Sequence, residues 1–286
     1  MSMSSQLVYL NGEYLPLNEA KVSVLDRGFI FGDGVYEVIP AYGGKALRFE
    51  HHMQRLQNSL DAVRINNPLS NEQWQKIIDK LISEKDSEDQ YIYMHITRGV
   101  ASRDHRFPDE TIPTVFVMSN ILHTVDPEIL KQGVYAVTLD DIRWQYCNIK
   151  AIALLPNILL RQQAVDKDAV EAILIRNGNM TEGAASNVFI VSDGIIKTPP
   201  KDQKLLPGIT RDLVVELAKT HNMPIEEVAI TEKEFLTADE IWLTSSTKEI
   251  LAVTKINEQQ VGNGKPGPVW KDMYQKYQDY KEILRK

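Results

Sequence analysis

Apolar positions along the chain follow two different periods. Over residues 49–63 they recur at Met53, Leu56, Leu60 and Val63, the spacing that gives a helix one buried face. A second helix is expected over 72–83, with Trp74, Ile77, Ile78, Leu81 and Ile82 inward. Residues 91–97 alternate instead, Ile92, Met94 and Ile96 against Tyr91, Tyr93 and His95, which is the signature of a strand. Strands are also expected at 6–10, turning at Asn11-Gly12 into Tyr14 and Leu15, and at 35–39 and 114–119. The charged run 84–89 reads as a solvated loop and 120–127 as a connector.

The second half is richer in strands. They are expected at 133–139, 170–175, 187–191 and 241–244, with turns at Asn177-Gly178 and Asp193-Gly194. The strands at 170–175 and 187–191 read as consecutive antiparallel neighbours, with NMTEGAASN between them as a loop. Helices are expected at 156–165, where Pro156 suits a first turn, at 209–219, and at 269–284 with Trp270, Met273, Tyr277 and Leu284 inward. Thr231 and Glu234 fit a capping box for a short helix between. The pattern predicts a two-domain α+β protein: a smaller N-terminal domain over 1–120, a connector over 121–130 and a larger, strand-rich C-terminal domain over 131–286.

Composition narrows the class without naming a function. The chain has 286 residues, 43% hydrophobic and 25% charged, as ordinary soluble globular proteins do. A net charge of −7 gives no support to a nucleic-acid or anionic-membrane partner. The first residues lack the basic and apolar regions of a secretory leader, and nothing approaches the run of about 18 apolar residues that spans a membrane. A cytoplasmic address is the expectation. The single cysteine, Cys147, excludes an intrachain disulfide and a multi-cysteine metal site, and no metal is expected.

Candidate chemistry centres on CNIKAIALLPNILL, where Lys150 is the one charge between Arg143 and Arg161. Apolar surroundings lower an ammonium pKa and free the amine for a Schiff base with a carbonyl. Alternatively Lys150 ends a strand and snorkels to water. TRGVASRDHRFPDE gathers Arg98, Arg103, His105 and Arg106, a set suited to gripping a carboxylate or, equally, to a solvated loop. Glu182 is either loop decoration or the partner of a protonated ring nitrogen. Pro207-Gly208 precedes a helix, so the amides of Ile209 and Thr210 lie at an anion-binding terminus. Ser245, Ser246 and Thr247 form a hydroxyl cluster that serves a phosphate or caps a turn.

A masked lysine, a phosphate cradle and a lone carboxylate are what pyridoxal 5′-phosphate requires, and the cationic loop suits an amino acid's carboxylate. No Walker A, GxGxxG-then-helix or HExxH motif is present. DRGFIFGDGVYEV, the arginine of HHMQRL, TRGVASRDHRFP, DIRW followed by CNIK, TEGAASNVF, GITRD and TSSTKEI occur in that order over nearly the whole chain. In these motifs the sequence resembles the class IV (fold type IV) pyridoxal-phosphate aminotransferases, and within them the bacterial D-amino-acid transaminases, on the spacing of Arg103 and His105.

The resemblance implies a smaller N-terminal α/β sandwich and a larger C-terminal pseudo-barrel that binds the cofactor. It implies that Lys150 forms the Schiff base and shuttles the substrate α-proton, and that Glu182 keeps the pyridine nitrogen protonated. Arg55, the amides of Ile209 and Thr210, and Ser246 with Thr247 nearby would bind the phosphate; Leu206 would pack on the ring. Tyr36, Arg103 and His105 would trap the substrate carboxylate, the Arg/His loop coming from the neighbouring subunit of a homodimer. The implied reaction is transamination between a D-amino acid, D-alanine foremost, and 2-oxoglutarate. Branched-chain L-amino-acid aminotransferase and aminodeoxychorismate lyase are the alternatives of the same fold. Ala184 and Ala185, where the family often has serines, and Ala153, where an asparagine is common, depart from the pattern.

Overall fold

The structure is a computed structural model that describes residues 6–85 and 87–285. Residues 1–5, part of the stretch read for a leader, and residue 86 of the charged run lie outside the described residues. The chain divides into two compact units. One comprises the residues up to His123 together with Ile149–Ala153 and the end of the chain from Leu284; the other comprises Thr124–Asn148 and Leu154–Ile283.

The first unit opens with the hairpin β1 (Leu7–Leu10) and β2 (Glu13–Pro16), followed by α1 (Arg27–Phe31), β3 (Gly34–Tyr42) and β4 (Lys45–Ala46). Then come α2 (Phe49–Ala62), α3 (Asn71–Ser83), β5 (Asp89–Thr97) and β6 (Thr114–Ile121). The strands form an antiparallel sheet in the order β2-β1-β6-β5-β3-β4. The alternation on β5 is resolved as expected: Ile92, Met94 and Ile96 are buried in one core with Leu56 and Leu60 of α2 and Trp74 and Ile78 of α3. Tyr91, Tyr93 and His95 lie half-buried on the opposite face. A full capping box, Ser70 with Gln73, starts α3. Helix α1 escaped the periodicity because it is only five residues long, set between the Asp26 side-chain cap and Gly32 at φ 66°.

The second unit holds α4 (Pro127–Gln132), β7 (Val134–Asp140), α5 (Leu155–Val165), β8 (Glu171–Arg176), β9 (Asn179–Gly183), β10 (Asn187–Ser192) and β11 (Ile195–Thr198). It continues with α6 (Ile209–Thr220), β12 (Ile225–Glu227), β13 (Ile230–Thr231), α7 (Glu232–Leu236), β14 (Glu240–Ser245), β15 (Glu249–Ile256), β16 (Gln259–Gln260) and α8 (Pro268–Arg285), whose residues from Leu284 belong to the first unit. The strands form one mixed sheet in the order β12-β11-β10-β14-β15-β7-β8-β9-β13, with β16 on β15. Phe189, Val191, Trp242, Ile250 and Ala252 face Leu213, Val214, Trp270, Met273 and Tyr277, so α6 and α8 cover one face of this sheet.

Two expectations change here. NMTEGAASN is not a plain loop: Asn179–Gly183 pairs with β8 across Asn177 (φ 53°) and Gly178 (φ 73°), a tight turn that needs both residues left-handed. Glu182 therefore stands on a strand. Nor are the strands before and after it neighbours, because β8 pairs with β7 and β9 while β10 pairs with β11 and β14.

Candidate active site

In the first unit the segment carrying Lys150 is held by main-chain pairing. Ala151 bridges Val35, Tyr36 N–H donates to the Lys150 carbonyl at 2.9 Å, and Ile152 N–H donates to the Gly34 carbonyl at 3.1 Å. Gly34 permits this approach: a Cβ there would lie 2.4 Å from the Ile96 carbonyl oxygen and 3.0 Å from Ile152 Cδ1. Lys150 N–H donates to Ser59 Oγ of α2 at 3.2 Å. Its half-buried amine lies over the Tyr36 ring, 4.0 Å from the centroid, a cation–π contact.

Helix α2 carries His52, Arg55 and Ser59 on one stripe, all buried. Arg55 donates through Nε and Nη2, each at 2.7 Å, to the two carboxylate oxygens of Glu37, and His52 Nδ1 lies 2.9 Å from Glu37 Oε2. Burial raises the Glu37 carboxyl, but the Arg55 guanidinium and the His52 hydrogen bond outweigh it and hold it far below the usual range. Burial drives the His52 ring below its usual range, against the pull of Glu37.

The cationic loop separates into two roles. Arg98 is buried and fully engaged: it grips Asp33 at 2.7 and 2.9 Å, donates to the carbonyls of Val63 and Arg64, and stacks 3.8 Å over Phe107. Arg103 and His105 remain exposed, both against the Phe31 ring, with centroid distances of 5.6 and 5.4 Å. Arg27 pins the peptide between them, donating to the Asp104 carbonyl at 2.6 Å while paired with Asp33 at 2.7 Å.

In the second unit, Glu182 is buried among donors. It accepts from Arg143 Nη1, from Asn187 Nδ2 at 3.2 Å and from Leu206 N–H at 3.1 Å. Burial pushes the Glu182 carboxyl up to about 7, against the opposing pull of Arg143. Arg143 is shared: its Nε and Nη2 donate to Asp141 at 2.9 Å each, and Asp141 also pairs with Arg176 at 3.0 Å.

Asn187 also donates to the Leu206 carbonyl at 2.8 Å, which ties Leu206 beside Glu182. A Cβ on Gly208 would fall 1.9 Å from Asn187 Oδ1, so any larger residue there would push the Asn187 side chain aside. The Gly208 cap supplies no side chain, and Ile209 and Thr210 open the helix. Asn187 sits opposite Thr244 in the β10–β14 ladder, so Ser246 and Thr247 follow directly in the turn beyond. The buried Thr244 hydroxyl finds no hydrogen-bond partner among the described residues.

Each unit thus gathers its own share of the expected residues: Lys150, Tyr36 and Arg55 in the first, and Glu182, Leu206, Ile209, Thr210, Ser246 and Thr247 in the second. Sequence reading passed over Glu37, His52 and Ser59, and also Arg143, Asn187 and Thr244. Glu37 left a signal, a single carboxylate within the otherwise apolar strand VYEVIPAY. Arg143 left none beyond its place in DIRW, because its partners come from β9 and its flanking residues.

Residues 34–256 match the family model for amino-transferase class IV. The chain belongs to the class IV aminotransferases. It is 36% identical over 273 residues to the D-alanine aminotransferase of Staphylococcus epidermidis, covering 96% of this chain and 97% of the relative. Against the D-alanine aminotransferase of Bacillus licheniformis it is 38% identical over 266 residues, covering 93% and 94%. Among solved structures, the Escherichia coli branched-chain amino acid aminotransferase superposes with a TM-score of 0.91 at 28% identity, covering 96% of this chain and 94% of that one. A branched-chain amino acid aminotransferase from T.th., solved with pyridoxamine 5′-phosphate, gives 0.92 at 26% identity, covering 98% and 95%. The fold of this aminotransferase is therefore fold type IV.

Proposed function

We propose that this aminotransferase exchanges the amino group of a D-amino acid, D-alanine foremost, with 2-oxoglutarate, giving pyruvate and D-glutamate. The observation that carries this reading is the near full-length match to D-alanine aminotransferases from two bacterial genera, at 36–38% identity. Pyridoxal 5′-phosphate is the cofactor, and the residues present fit it. Among the described residues the α6 terminus has no side-chain cap and the buried Thr244 hydroxyl beside the Ser246–Thr247 turn has no partner, and Glu182 is a carboxylate held in place by three donors.

Arg55, the amides of Ile209 and Thr210, and the hydroxyls of Ser246 and Thr247 would hold the phosphate, Leu206 would pack on the ring, and Glu182 would accept from the pyridine nitrogen. When bound, the cofactor supplies a sink for the electrons left at the substrate Cα. Lys150 Nζ would carry the proton between the substrate Cα and the cofactor C4′, one way in the first half-reaction and the other way in the second. Tyr36, Arg103 and His105 take the α-carboxylate, Arg103 with two parallel donors. Glu37 fixes the plane of the Arg55 guanidinium before any anion arrives, which removes an ordering cost from binding.

A cytoplasmic homodimer is part of the proposal, with Arg103 and His105 serving the partner's site. In its support, Ile142, Trp144, Tyr146, Leu155, Ile158 and Leu159 are large apolar side chains exposed on the second unit. Among the described residues no helix is long and apolar enough to cross a membrane. The structural likeness to branched-chain enzymes favours a second reading, transamination of branched-chain L-amino acids. A half-reaction screen separates the two. Purified enzyme mixed with each enantiomer of alanine, glutamate, leucine and valine should show spectral conversion with D-alanine and D-glutamate. Conversion with L-leucine and L-valine alone would select the second reading.

A further inference from the structure

Helix α8 contributes no residue to the sets described above, yet it reaches the turn that carries Ser246 and Thr247. That turn joins β14 to β15, with Ser245 and Glu249 as the closing pair of the hairpin. Glu249 closes it in the left-handed region, at φ 56°. Among the described residues most other non-glycine positions in this conformation are Asn or Asp, such as Asn177, Asp193 and Asn257, types that tolerate it; Arg48 and Arg64 are exceptions alongside Glu249. A glutamate does so at a cost, and such strain persists only where the surroundings over-determine it.

The surroundings here are side chains of α8. Lys281 Nζ donates to Glu249 Oε1, and Gln278 Nε2 donates to Glu249 Oε2 at 2.7 Å. Gln278 Oε1 in turn accepts from Lys281 Nζ at 3.0 Å. Glu249 and Lys281 are both buried, at 8% and 6% exposure, so the pair is shielded from the water that weakens surface ion pairs. Just N-terminal to these residues, α8 is anchored in the core by Trp270, Met273 and Tyr277, so Lys281 extends from a fixed support.

We infer that Glu249 and Lys281 are positioning residues for the cofactor phosphate: the buried pair latches the Ser246–Thr247 turn to α8 and fixes where its hydroxyls and amides point. The inference rests on the assignment of Ser246 and Thr247 to the phosphate. The turn is short, and residue 249 sets its exit, so freeing the Glu249 side chain lets Ser246 and Thr247 sample other orientations. A cofactor that carries the phosphate loses by this, and one without it does not.

The test measures binding of pyridoxal 5′-phosphate and of pyridoxal to full-length protein stripped of cofactor, by fluorescence quenching. Wild type is compared with Lys281→Met, Glu249→Gly and Ser246→Ala. Glu249→Gly relaxes the backbone while removing the carboxylate, so it keeps the test open where Lys281→Met fails to fold. Lys281→Met and Glu249→Gly should each weaken pyridoxal 5′-phosphate binding by about tenfold or more, the lower end of the loss when residues supporting a metal's ligands are removed. Pyridoxal binding should stay within twofold of wild type, and Lys281→Arg should restore most of the phosphate preference. Equal loss for both ligands, or no loss in Glu249→Gly, would overturn the latch. Should Ser246→Ala reduce the preference while the latch variants keep it, the phosphate assignment survives and the latch falls. Should Ser246→Ala leave the preference intact, both fall.

Discussion

Two buried glutamates, one in each unit, face an arginine and end at opposite extremes. Glu37 has Arg55 in a two-pronged grip plus a hydrogen bond from His52, and its carboxyl is held far below the ordinary range. Glu182 receives one prong of Arg143, whose other donors go to Asp141 and the Lys204 carbonyl, and burial lifts its carboxyl to about 7. Burial alone does not decide the outcome, since both are shut away from solvent. What separates them is how many donors the guanidinium gives each carboxylate, two from Arg55 to Glu37 and one from Arg143 to Glu182, together with the Asp141 charge that adds to burial at Glu182. The doubly held carboxylate is a permanent anion, whereas the singly held one carries a charge that responds to the next cation to arrive.

Replacing Glu37 with Gln should cost the most. Arg55 then stays buried without the Glu37 charge, and the protein stripped of cofactor should lose roughly 3–5 kcal/mol of stability in urea denaturation at pH 7. A loss below roughly 1 kcal/mol would mean that the pair is no scaffold. The pH dependence has a definite sign. A carboxyl with a depressed folded pKa contributes stability above the unfolded value of about 4.3, and that contribution disappears as pH falls through the folded value. The gap between wild type and Glu37→Gln should therefore close in acid.

Glu182 should do the reverse. Its folded pKa of about 7 lies above the unfolded one, so the cofactor-free protein sheds stability as pH rises from about 4.5 to 7, by roughly 3 kcal/mol at most. Chemical denaturation across that window, with Glu182→Gln as reference, measures it; parallel curves would show that Glu182 is not raised. Glu182→Gln should also lower kcat by about 100-fold, because a neutral amide does not hold the pyridine nitrogen protonated. The smallest effect is expected from Asp141→Asn. Freed from its competitor, Arg143 turns to Glu182, and the Glu182 titration should move down by about one unit. An upward move would show that Asp141 only orients Arg143.

Much of this arrangement was legible in the chain. The helices over 49–62 and 71–83 and the strand over 89–97 follow from a period read directly off apolar residues, because each buries one face in one core. Lys150 stood out as a lone charge, and Ile209 and Thr210 as the start of a helix after Pro207-Gly208. Partner choice was not legible. Nothing local shows that Arg143 divides itself between Asp141 and Glu182, that Asn187 ties Leu206 to Glu182, or that Arg98 is a buried strut while Arg103 stays exposed. These depend on strand pairings such as Asn187 opposite Thr244, which sequence spacing does not encode. Short elements were also missed, α1 and β9 among them, because a turn and a half of helix or five residues of strand carry too little pattern.

The claim beneath the whole account is that the Lys150 amine is the one that meets the cofactor. Borohydride reduction of the holoenzyme, followed by proteolysis and mass spectrometry of the pyridoxyl-bearing peptide, tests it most directly. A single modified site at Lys150 is expected, and no modification in Lys150→Ala. A pyridoxyl group found instead on Lys248, another half-buried lysine whose amine burial holds below the usual range, would contradict it.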